Sequence, residues 1–179
     1  MEVVRAKTAG FCMGVSLALQ KLDTALDETV AANADGPQGR IRTLGPIIHN
    51  PHVLAHYEAK GVLCVRDAAE LSPGDRVIIR AHGIPRQTEE RIRAGGALVV
   101  DATCPKVKKA QLAIARATRQ GAILLLFGEA DHPEVRGLVS YAHGPAYVFG
   151  SPEELAGLRL DPGRAHVLAS QTTQDRKTF

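Results

Sequence analysis

ALVVDATCP, residues 97–105, places four apolar residues directly before a polar turn, and a helical pattern follows over residues 107–119. A short apolar run bounded by turn residues is typical of a buried strand in a parallel sheet. A second helical pattern covers residues 86–93, and comparable apolar runs recur at residues 77–79, 123–127, 147–149 and 167–169. Because strands alternate with helices, the sequence predicts an α/β fold with small, mainly parallel sheets flanked by helices.

The same stretch marks a division of the chain. One set of strand and helix units closes near Cys104, and a second set begins after it. The pattern therefore predicts two related lobes, residues 1–104 and residues 105–179. Residues 31–39 are rich in Gly, Asn and Pro, and we expect a loop there inside the first lobe.

Composition limits the classes of function. The chain has 179 residues, of which 45% are apolar, and its formal net charge is +3. No apolar run approaches the ~18 residues of a membrane-spanning helix, and no secretory signal is recognisable, so we expect a cytoplasmic protein. Aromatic residues make up only 4% of the chain and no Lys/Arg stripe is present, which argues against nucleic-acid binding. Three cysteines in a reducing compartment indicate metal binding or catalysis rather than disulfides.

Two of the three cysteines stand at predicted helix starts. Cys12 lies between an apolar opening segment, Val3-Val4, and a clear helical pattern, and Cys104 repeats the arrangement after the apolar run that precedes it. A helix N-terminus offers unpaired N–H groups and partial positive charge, which favour the thiolate form that ligates metals or attacks electrophiles. Cys64 lies inside an apolar run, and we expect it to be a small buried hydrophobe.

Chemically active side chains follow the predicted strands. In open α/β sheets, ligands bind beyond the carboxyl ends of the strands. The residues at such positions are His49, His82, Cys104, His132, Glu134, Gln171, Thr172 and Thr173. We therefore expect thiols, imidazoles, a carboxylate and hydroxyls to converge on one edge of the molecule.

Structural interpretations compete with these functional ones. Asn50 is suited to a helix N-cap, which would leave His49 in the loop beyond a strand end. Glu134 is also suited to the first turn of a helix, where its charge stabilises the N-terminus. His52 and His56 have the four-residue spacing of zinc ligands, but no Glu of a protease motif lies between them, so a solvated helix face is favoured.

Taken together, the segments resemble the LytB-type 4-hydroxy-3-methylbut-2-enyl diphosphate reductases, which catalyse the last step of the non-mevalonate isoprenoid pathway. The resemblance lies in six motifs and in their order along essentially the whole chain. The motifs are residues 10–15 (GFCMGV), 44–51 (LGPIIHNP), 79–83 (IRAHG), 101–105 (DATCP), 131–135 (DHPEV) and 171–173 (QTT).

The resemblance implies a 4Fe–4S cluster held by three thiolates, two of which match Cys12 and Cys104. It further implies that three histidines bind the diphosphate and that Glu134 protonates the leaving hydroxyl. Ferredoxin or flavodoxin would supply two electrons through the cluster, and the products would be isopentenyl and dimethylallyl diphosphate. By the same match, the substrate-binding residues are His49, His82, His132 and Thr172, with Gln171 and Thr173 nearby.

The chain departs from the family pattern in one large respect. Family members continue into a third lobe that carries the third cysteine ligand and a Ser-x-Asn segment, and Cys64 does not match that ligand's motif. We therefore expect little or no reductase activity from these 179 residues alone. One alternative is a non-catalytic remnant or regulatory relative of the family. Another is a zinc hydrolase that uses His49, His52, His56 and a cysteine.

Overall fold

Seven parallel strands form two sheets in the computed structural model, which describes residues 2–4, 7, 9–32 and 39–175. The first sheet has the order β2-β1-β3-β4, and the second has the order β6-β5-β7. The strands are β1 Ile41–Leu44, β2 Leu63–Val65, β3 Arg76–Ile79, β4 Leu98–Asp101, β5 Ile123–Phe127, β6 Ala146–Phe149 and β7 His166–Ser170. The predicted α/β class with small parallel sheets is confirmed.

Helices connect the strands. They are α1 Met13–Ala32, α2 Pro51–Ala59, α3 Arg86–Ala94, α4 Pro105–Ala117, α5 Pro133–Val139 and α6 Pro152–Ala156, and a 3₁₀ turn covers Ala68–Glu70. Four of the helices begin with proline, whose fixed φ suits the first helical position and whose missing N–H is not needed there. These prolines place the start of each helix at a defined residue after its strand.

The central strand β3 of the first sheet is buried on both faces, as a strand with helices on either side requires. Ile78 of β3 packs with Leu22 of α1, whereas its neighbours Val77 and Ile79 pack with Ile92 of α3 on the opposite face. None of the three β3 side chains is more than 1% exposed. The period of two along the strand therefore separates two apolar layers.

The second sheet is built in the same way around β5, all five residues of which are buried. Leu124 and Leu126 pack against α4 and α5 through Ile114 and Leu138. The intervening β5 residues pack with Phe149 on the other face. Cys104 lies between β4 of the first sheet and β5 of the second sheet, and the two lobes of residues 1–104 and 105–179 stay a prediction.

Cys64 is exposed, so the prediction of a buried thiol was wrong. It lies in β2, which is an edge strand with β1 as its one neighbour. Leu63 beside it is 42% exposed, and of the three strand residues only Val65 is buried. An apolar run in the sequence does not distinguish a central strand from an edge strand, and only a central strand buries both of its faces.

The opening segment also differs from expectation. Val3 and Val4 are 80% and 82% exposed and form no strand, so Cys12 does not follow a strand within the described residues. The helix after Cys12 is present as predicted. In the predicted loop at residues 31–39, the first two residues end α1, and residues 33–38 lie outside the described part of the chain.

Helix α4 begins and ends two residues earlier than the sequence pattern suggested. Pro105 supplies the first helical position, so the helix starts immediately after Cys104. Within the described ranges, no helix is long and apolar enough to span a bilayer.

Candidate functional site

His82 and His132 lie side by side where the carboxyl edges of the two sheets approach each other. His82 follows β3 of the first sheet, and His132 follows β5 of the second sheet and immediately precedes α5. Their ring centroids are 5.3 Å apart, and the rings meet edge to face at 78°. The two sheets therefore contribute neighbouring imidazoles to one site.

A tight turn holds His82 in place. Gly83 has a φ of +72°, and its N–H donates a hydrogen bond of 2.9 Å to the carbonyl of Arg80. A Cβ at this position would lie 2.7 Å from Nε2 of Gln111, which is buried behind the turn. Glycine is required here both for the left-handed backbone conformation and for the close approach of Gln111.

His132 has a structural role in addition to its predicted one. It is the N-cap of α5, and its Nδ1 accepts a hydrogen bond of 3.1 Å from the backbone N–H of Glu134. With Nδ1 acting as an acceptor, the ring proton lies on Nε2, which remains available as a donor. The helix start thereby sets the tautomer of His132.

Glu134 is a buried carboxylate with two donors from one residue. It is 1% exposed, and its Oε1 accepts the backbone N–H of Thr172 at 2.7 Å. Its Oε2 accepts the Thr172 hydroxyl at 2.9 Å. The exposed Thr172 thus couples a buried acid to the surface of the site, and the first-turn position of Glu134 in α5 is confirmed at the same time.

Gln171 and Thr173 form the support for this pair. Gln171 is 2% exposed, and its Nε2 donates to the Thr173 hydroxyl at 2.8 Å. Its Oε1 accepts the N–H of Glu129 at 3.2 Å, and its own N–H donates to the carbonyl of Phe127. The side chain of Gln171 therefore joins the ends of β5 and β7, which positions Thr172.

His49 lies in the loop before α2, as the sequence predicted, and its side chain is exposed. Asn50 is the N-cap, and its Oδ1 accepts N–H groups of His52 and Val53 at 3.0 and 3.3 Å. His52 and His56 are both exposed, which confirms the solvated helix face.

Several charges act on His82. Burial is the largest influence and lowers the pKa of the imidazole, and the positive charge of Arg80 lowers it further. His132 and His49 act in the same direction, whereas Glu134 raises the pKa. His49, His132 and Glu134 therefore all lie within electrostatic range of His82.

Arg80 was not identified from the sequence as a site residue. It directly follows β3 and is half-buried, and its Nε is buried without a hydrogen-bond partner among the described residues. Burial lowers the pKa of its guanidinium group. Its position after a buried strand, two residues before His82, was the available signal.

Cys12 and Cys104 lie at the starts of α1 and α4. The carbonyls of Cys12 and Cys104 accept the first helical hydrogen bonds, from Ser16 and Lys108, each at 2.9 Å. A Cβ on Gly14 would lie 2.9 Å from the Cys104 sulfur, so the two helix starts approach closely at a residue without a side chain. The Cys104 N–H also donates to the carbonyl of Ala81, which links this thiol to the turn that carries His82.

The two thiols fit an iron–sulfur site in chemistry but not in number. Both are free, both stand at helix N-termini, and the glycine between them leaves room for the close packing of Cys104. Across the described residues, no group of three or more His, Cys, Asp or Glu side chains is arranged to hold a metal ion. The assignment of Cys12 and Cys104 as two of three cluster ligands therefore stays a prediction, and the described residues offer no group of three ligands for the zinc-hydrolase alternative.

Comparisons with known proteins agree with one another. A family model described as LytB protein matches residues 3–179. A 4-hydroxy-3-methylbut-2-enyl diphosphate reductase of Desulfovibrio desulfuricans is 69% identical over 179 residues, which are the whole of this chain and 62% of that protein. The enzyme of the same name from Geobacter sulfurreducens is 44% identical and is covered to 59%. The chain spans about three fifths of the length of these relatives.

Solved structures show the same fold. A structure of (E)-4-hydroxy-3-methyl-but-2-enyl diphosphate reductase, the terminal enzyme of the non-mevalonate pathway, aligns with a TM-score of 0.79 at 37% identity, covering 98% of this chain and 59% of that one. A diphosphate reductase structure from Plasmodium falciparum aligns with a TM-score of 0.83 at 24% identity, covering 96% of this chain and 52% of that one. The second likeness concerns the fold alone.

Proposed function

This chain belongs to the LytB family, and from that premise we propose that it forms the diphosphate-binding and proton-delivering part of a 4-hydroxy-3-methylbut-2-enyl diphosphate reductase. The reaction would be a reductive dehydroxylation. The allylic C–O bond breaks, the hydroxyl leaves as water, and two electrons and two protons are consumed. The products would be isopentenyl and dimethylallyl diphosphate.

The observation that carries the proposal is the Glu134–Thr172 pair. A carboxyl group that is 1% exposed and held by two hydrogen bonds from Thr172 has a fixed position at the site. Such a group is suited to deliver a proton to a hydroxyl, because geometry is the first requirement of general acid catalysis. In this role Glu134 protonates the leaving hydroxyl of the substrate, and Thr172 orients that hydroxyl.

His49, His82 and His132 would bind the diphosphate. An anion with this charge density needs several fixed donors, and imidazole N–H groups supply directed hydrogen bonds. His132 presents its Nε2 proton because α5 engages Nδ1. In the free chain, burial and neighbouring cations lower the pKa of His82. A bound diphosphate would favour the protonated form of His82, because its negative charge attracts the imidazolium.

Cys12 and Cys104 would hold two irons of a 4Fe–4S cluster. The cluster, when bound, would supply electron transfer and polarise the substrate's hydroxyl oxygen. A reduced ferredoxin or flavodoxin would be the electron donor. The chain's own contribution is to present two free thiols at the N-termini of α1 and α4, and the Cys104 N–H donates to the carbonyl of Ala81, next to His82.

Anaerobic reconstitution with iron and sulfide tests this assignment. We expect the wild-type chain to take up iron and sulfide in a labile form with broad visible absorption, and we expect Cys12→Ser and Cys104→Ser to lose it. Cys64→Ser is the matched control, because Cys64 is exposed and lies in β2. The assignment is wrong if Cys64→Ser loses as much absorption as the other two variants.

The non-catalytic alternative makes a different prediction in the same experiment. A remnant or regulatory relative that had lost the chemistry would take up no iron in any of the four proteins. Diphosphate binding to the histidines would still be measurable by calorimetry in that case.

A further inference from the structure

We propose that a cavity lined by Arg66, Arg80, Arg91 and Arg136, which lies next to the turns of His82 and His132, binds a phosphate or diphosphate anion through its arginines. The cavity has a volume of about 240 Å³. It opens beyond the carboxyl ends of β1, β2 and β3, where an open α/β sheet places its ligands. Its lining includes none of the histidines or cysteines discussed above.

Four separate parts of the chain bring the guanidinium groups to this cavity. Arg66 follows β2, Arg80 follows β3, Arg91 lies in α3, and Arg136 lies in α5. Four like charges around one cavity repel one another, and a bound anion would offset that repulsion. Among the described lining residues, the one carboxylate is that of Asp67.

The nearby carboxylates are occupied elsewhere. Asp67 Oδ1 accepts the backbone N–H of Ala69 at 2.8 Å, and Glu70 Oε1 accepts the N–H groups of Arg66 and Asp67, both at 2.8 Å. These bonds form a capping box around the 3₁₀ turn. Both acids therefore stabilise the local backbone, and within the described residues neither forms an ion pair with an arginine of the cavity, although the backbone hydrogen bonds from Asp67 and Arg66, and then the charge of Arg66, lower the pKa of Glu70.

The arginines themselves have unused hydrogen-bonding capacity. The buried Arg80 Nε has no partner, and the side chains of Arg66 and Arg91 form no ion pair or hydrogen bond within the described part of the chain. Arg136 pairs with Asp131 at 2.8 Å, but the Asp131 side chain is 99% exposed, so this pair contributes little. A Cβ on Gly45, which also lines the cavity, would lie 3.3 Å from Arg80 Nη1, so the Arg80 guanidinium group lies at the cavity wall.

The size and the donors of the cavity favour phosphate. The planar guanidinium fork matches pairs of phosphate oxygens, which explains the use of arginine rather than lysine at such sites. The volume is below the usual range for drug-sized ligands and is suited to a small anion. Helix α3 begins at the cavity after Pro85, but its first N–H group, that of Arg86, donates to the Ser140 hydroxyl at 2.9 Å, so the arginine side chains carry the proposal.

Calorimetric titration with inorganic phosphate tests the proposal. The test variant is Arg66→Gln with Arg91→Gln, two exposed positions without side-chain partners. The matched control is Arg119→Gln with Arg159→Gln, which removes the same charge from exposed positions outside the cavity. A third variant, His49→Gln, reports on binding at the histidines.

We expect the Arg66/Arg91 variant to bind phosphate about tenfold more weakly or worse, because each lost charged hydrogen bond costs at least that factor. The control should bind within about twofold of the wild type. His49→Gln should weaken only phosphate binding at the histidines and should retain the binding that the Arg66/Arg91 variant loses. Equal weakening in the control would show a general charge effect and would overturn the proposal. The proposal would also be overturned if His49→Gln lost phosphate binding while the Arg66/Arg91 variant retained it, because phosphate would then bind at the histidines.

Discussion

At the scale of single residues, the site depends on side chains that have both a structural and a chemical role. His132 begins a helix and presents a proton, and Glu134 accepts two hydrogen bonds from Thr172 while occupying the first turn of α5. The two roles together fix the positions of these side chains, because moving either one would also break its hydrogen bond with a backbone N–H group. Substitutions can separate the two roles.

Replacing Glu134 by alanine or by glutamine separates stability from proton delivery. Glu134→Ala leaves the Thr172 donors and a cavity behind, so we expect a loss of about 1–3 kcal/mol in the free energy of unfolding. Glu134→Gln retains the shape and can still accept the Thr172 N–H, so its loss should stay below about 1 kcal/mol. Denaturant titration measures both values. Equal losses in the two variants would contradict the hydrogen-bonding role given to Thr172.

Gly14 tests the contact between the two cysteine-bearing helix starts. A Cβ there would lie 2.9 Å from the Cys104 sulfur and 3.0 Å from the Cys104 Cβ, so Gly14→Ala should destabilise the chain by about 1–3 kcal/mol through overpacking. Gly137→Ala is the control, because a Cβ in that α5 position meets nothing closer than 3.7 Å. Because alanine has a higher helix propensity than glycine, Gly137→Ala should leave the free energy of unfolding unchanged or raise it by up to about 1 kcal/mol. A Gly14→Ala chain as stable as the wild type would show that Cys104 moves freely.

The buried imidazole of His82 predicts a pH dependence of stability. Its pKa is lowered from the ordinary value of 6.5, chiefly by burial, so the unfolded chain binds more protons than the folded one just below that value. Its contribution to stability is complete above about pH 7.5 and decreases as the pH falls through 6.5 towards the folded pKa. Unfolding free energies measured between about pH 7.5 and 5.5 should fall less steeply in His82→Gln than in the wild type. His143→Gln, at an exposed position, should retain the wild-type slope.

At the scale of elements, the helix caps position the loops that carry the histidines. Asn50 caps α2 next to His49, and Ser151 caps α6, whose N-terminus follows β6 of the second sheet. The two caps are similar in type, so they form a matched pair for separating stability from function.

Asn50→Ala and Ser151→Ala should each cost about 1 kcal/mol of stability. Only Asn50→Ala should also weaken diphosphate binding, by up to about fivefold, because it loosens the loop that holds His49. Denaturant titration and calorimetry with inorganic diphosphate give the two quantities. Equal weakening of diphosphate binding in both variants would exclude a specific role for the α2 cap.

At the scale of the whole molecule, the two sheets meet at the site, and the described residues offer two candidate ligands, Cys12 and Cys104, for the three-thiolate cluster that we predict. The described residues hold no group of three metal-binding side chains, and Phe11 and Met13 beside Cys12 are 49% and 61% exposed. Exposed apolar side chains on both sides of Cys12 are expected where another protein surface covers this face.

We therefore expect the 179-residue chain to show no reductase turnover. The assay is anaerobic, with 4-hydroxy-3-methylbut-2-enyl diphosphate as substrate and reduced viologen as electron source. The relative from Desulfovibrio desulfuricans, of which this chain matches 62%, is the positive control. Turnover by the shorter chain at a comparable rate would contradict a requirement for a third ligand.

The sequence was sufficient for the α/β class, for most of the strands and for the helix starts at Cys104 and Asn50, because each follows from local patterns of apolar, turn and capping residues. It was misleading at Cys64 and at Val3-Val4, where apolar residues proved to be exposed. Burial depends on which strands become neighbours, and the alternation of apolar residues does not contain that information.

The sequence by itself therefore determined the elements, the family and the types of side chain at the strand ends. Only the tertiary structure showed that His82 meets His132, that Glu134 is bound by Thr172, and that four arginines surround one cavity. Each of these contacts joins segments that lie tens of residues apart in the chain. Their proximity follows from strand order and from the meeting of two sheets, which are properties of the packed molecule and not of any local segment.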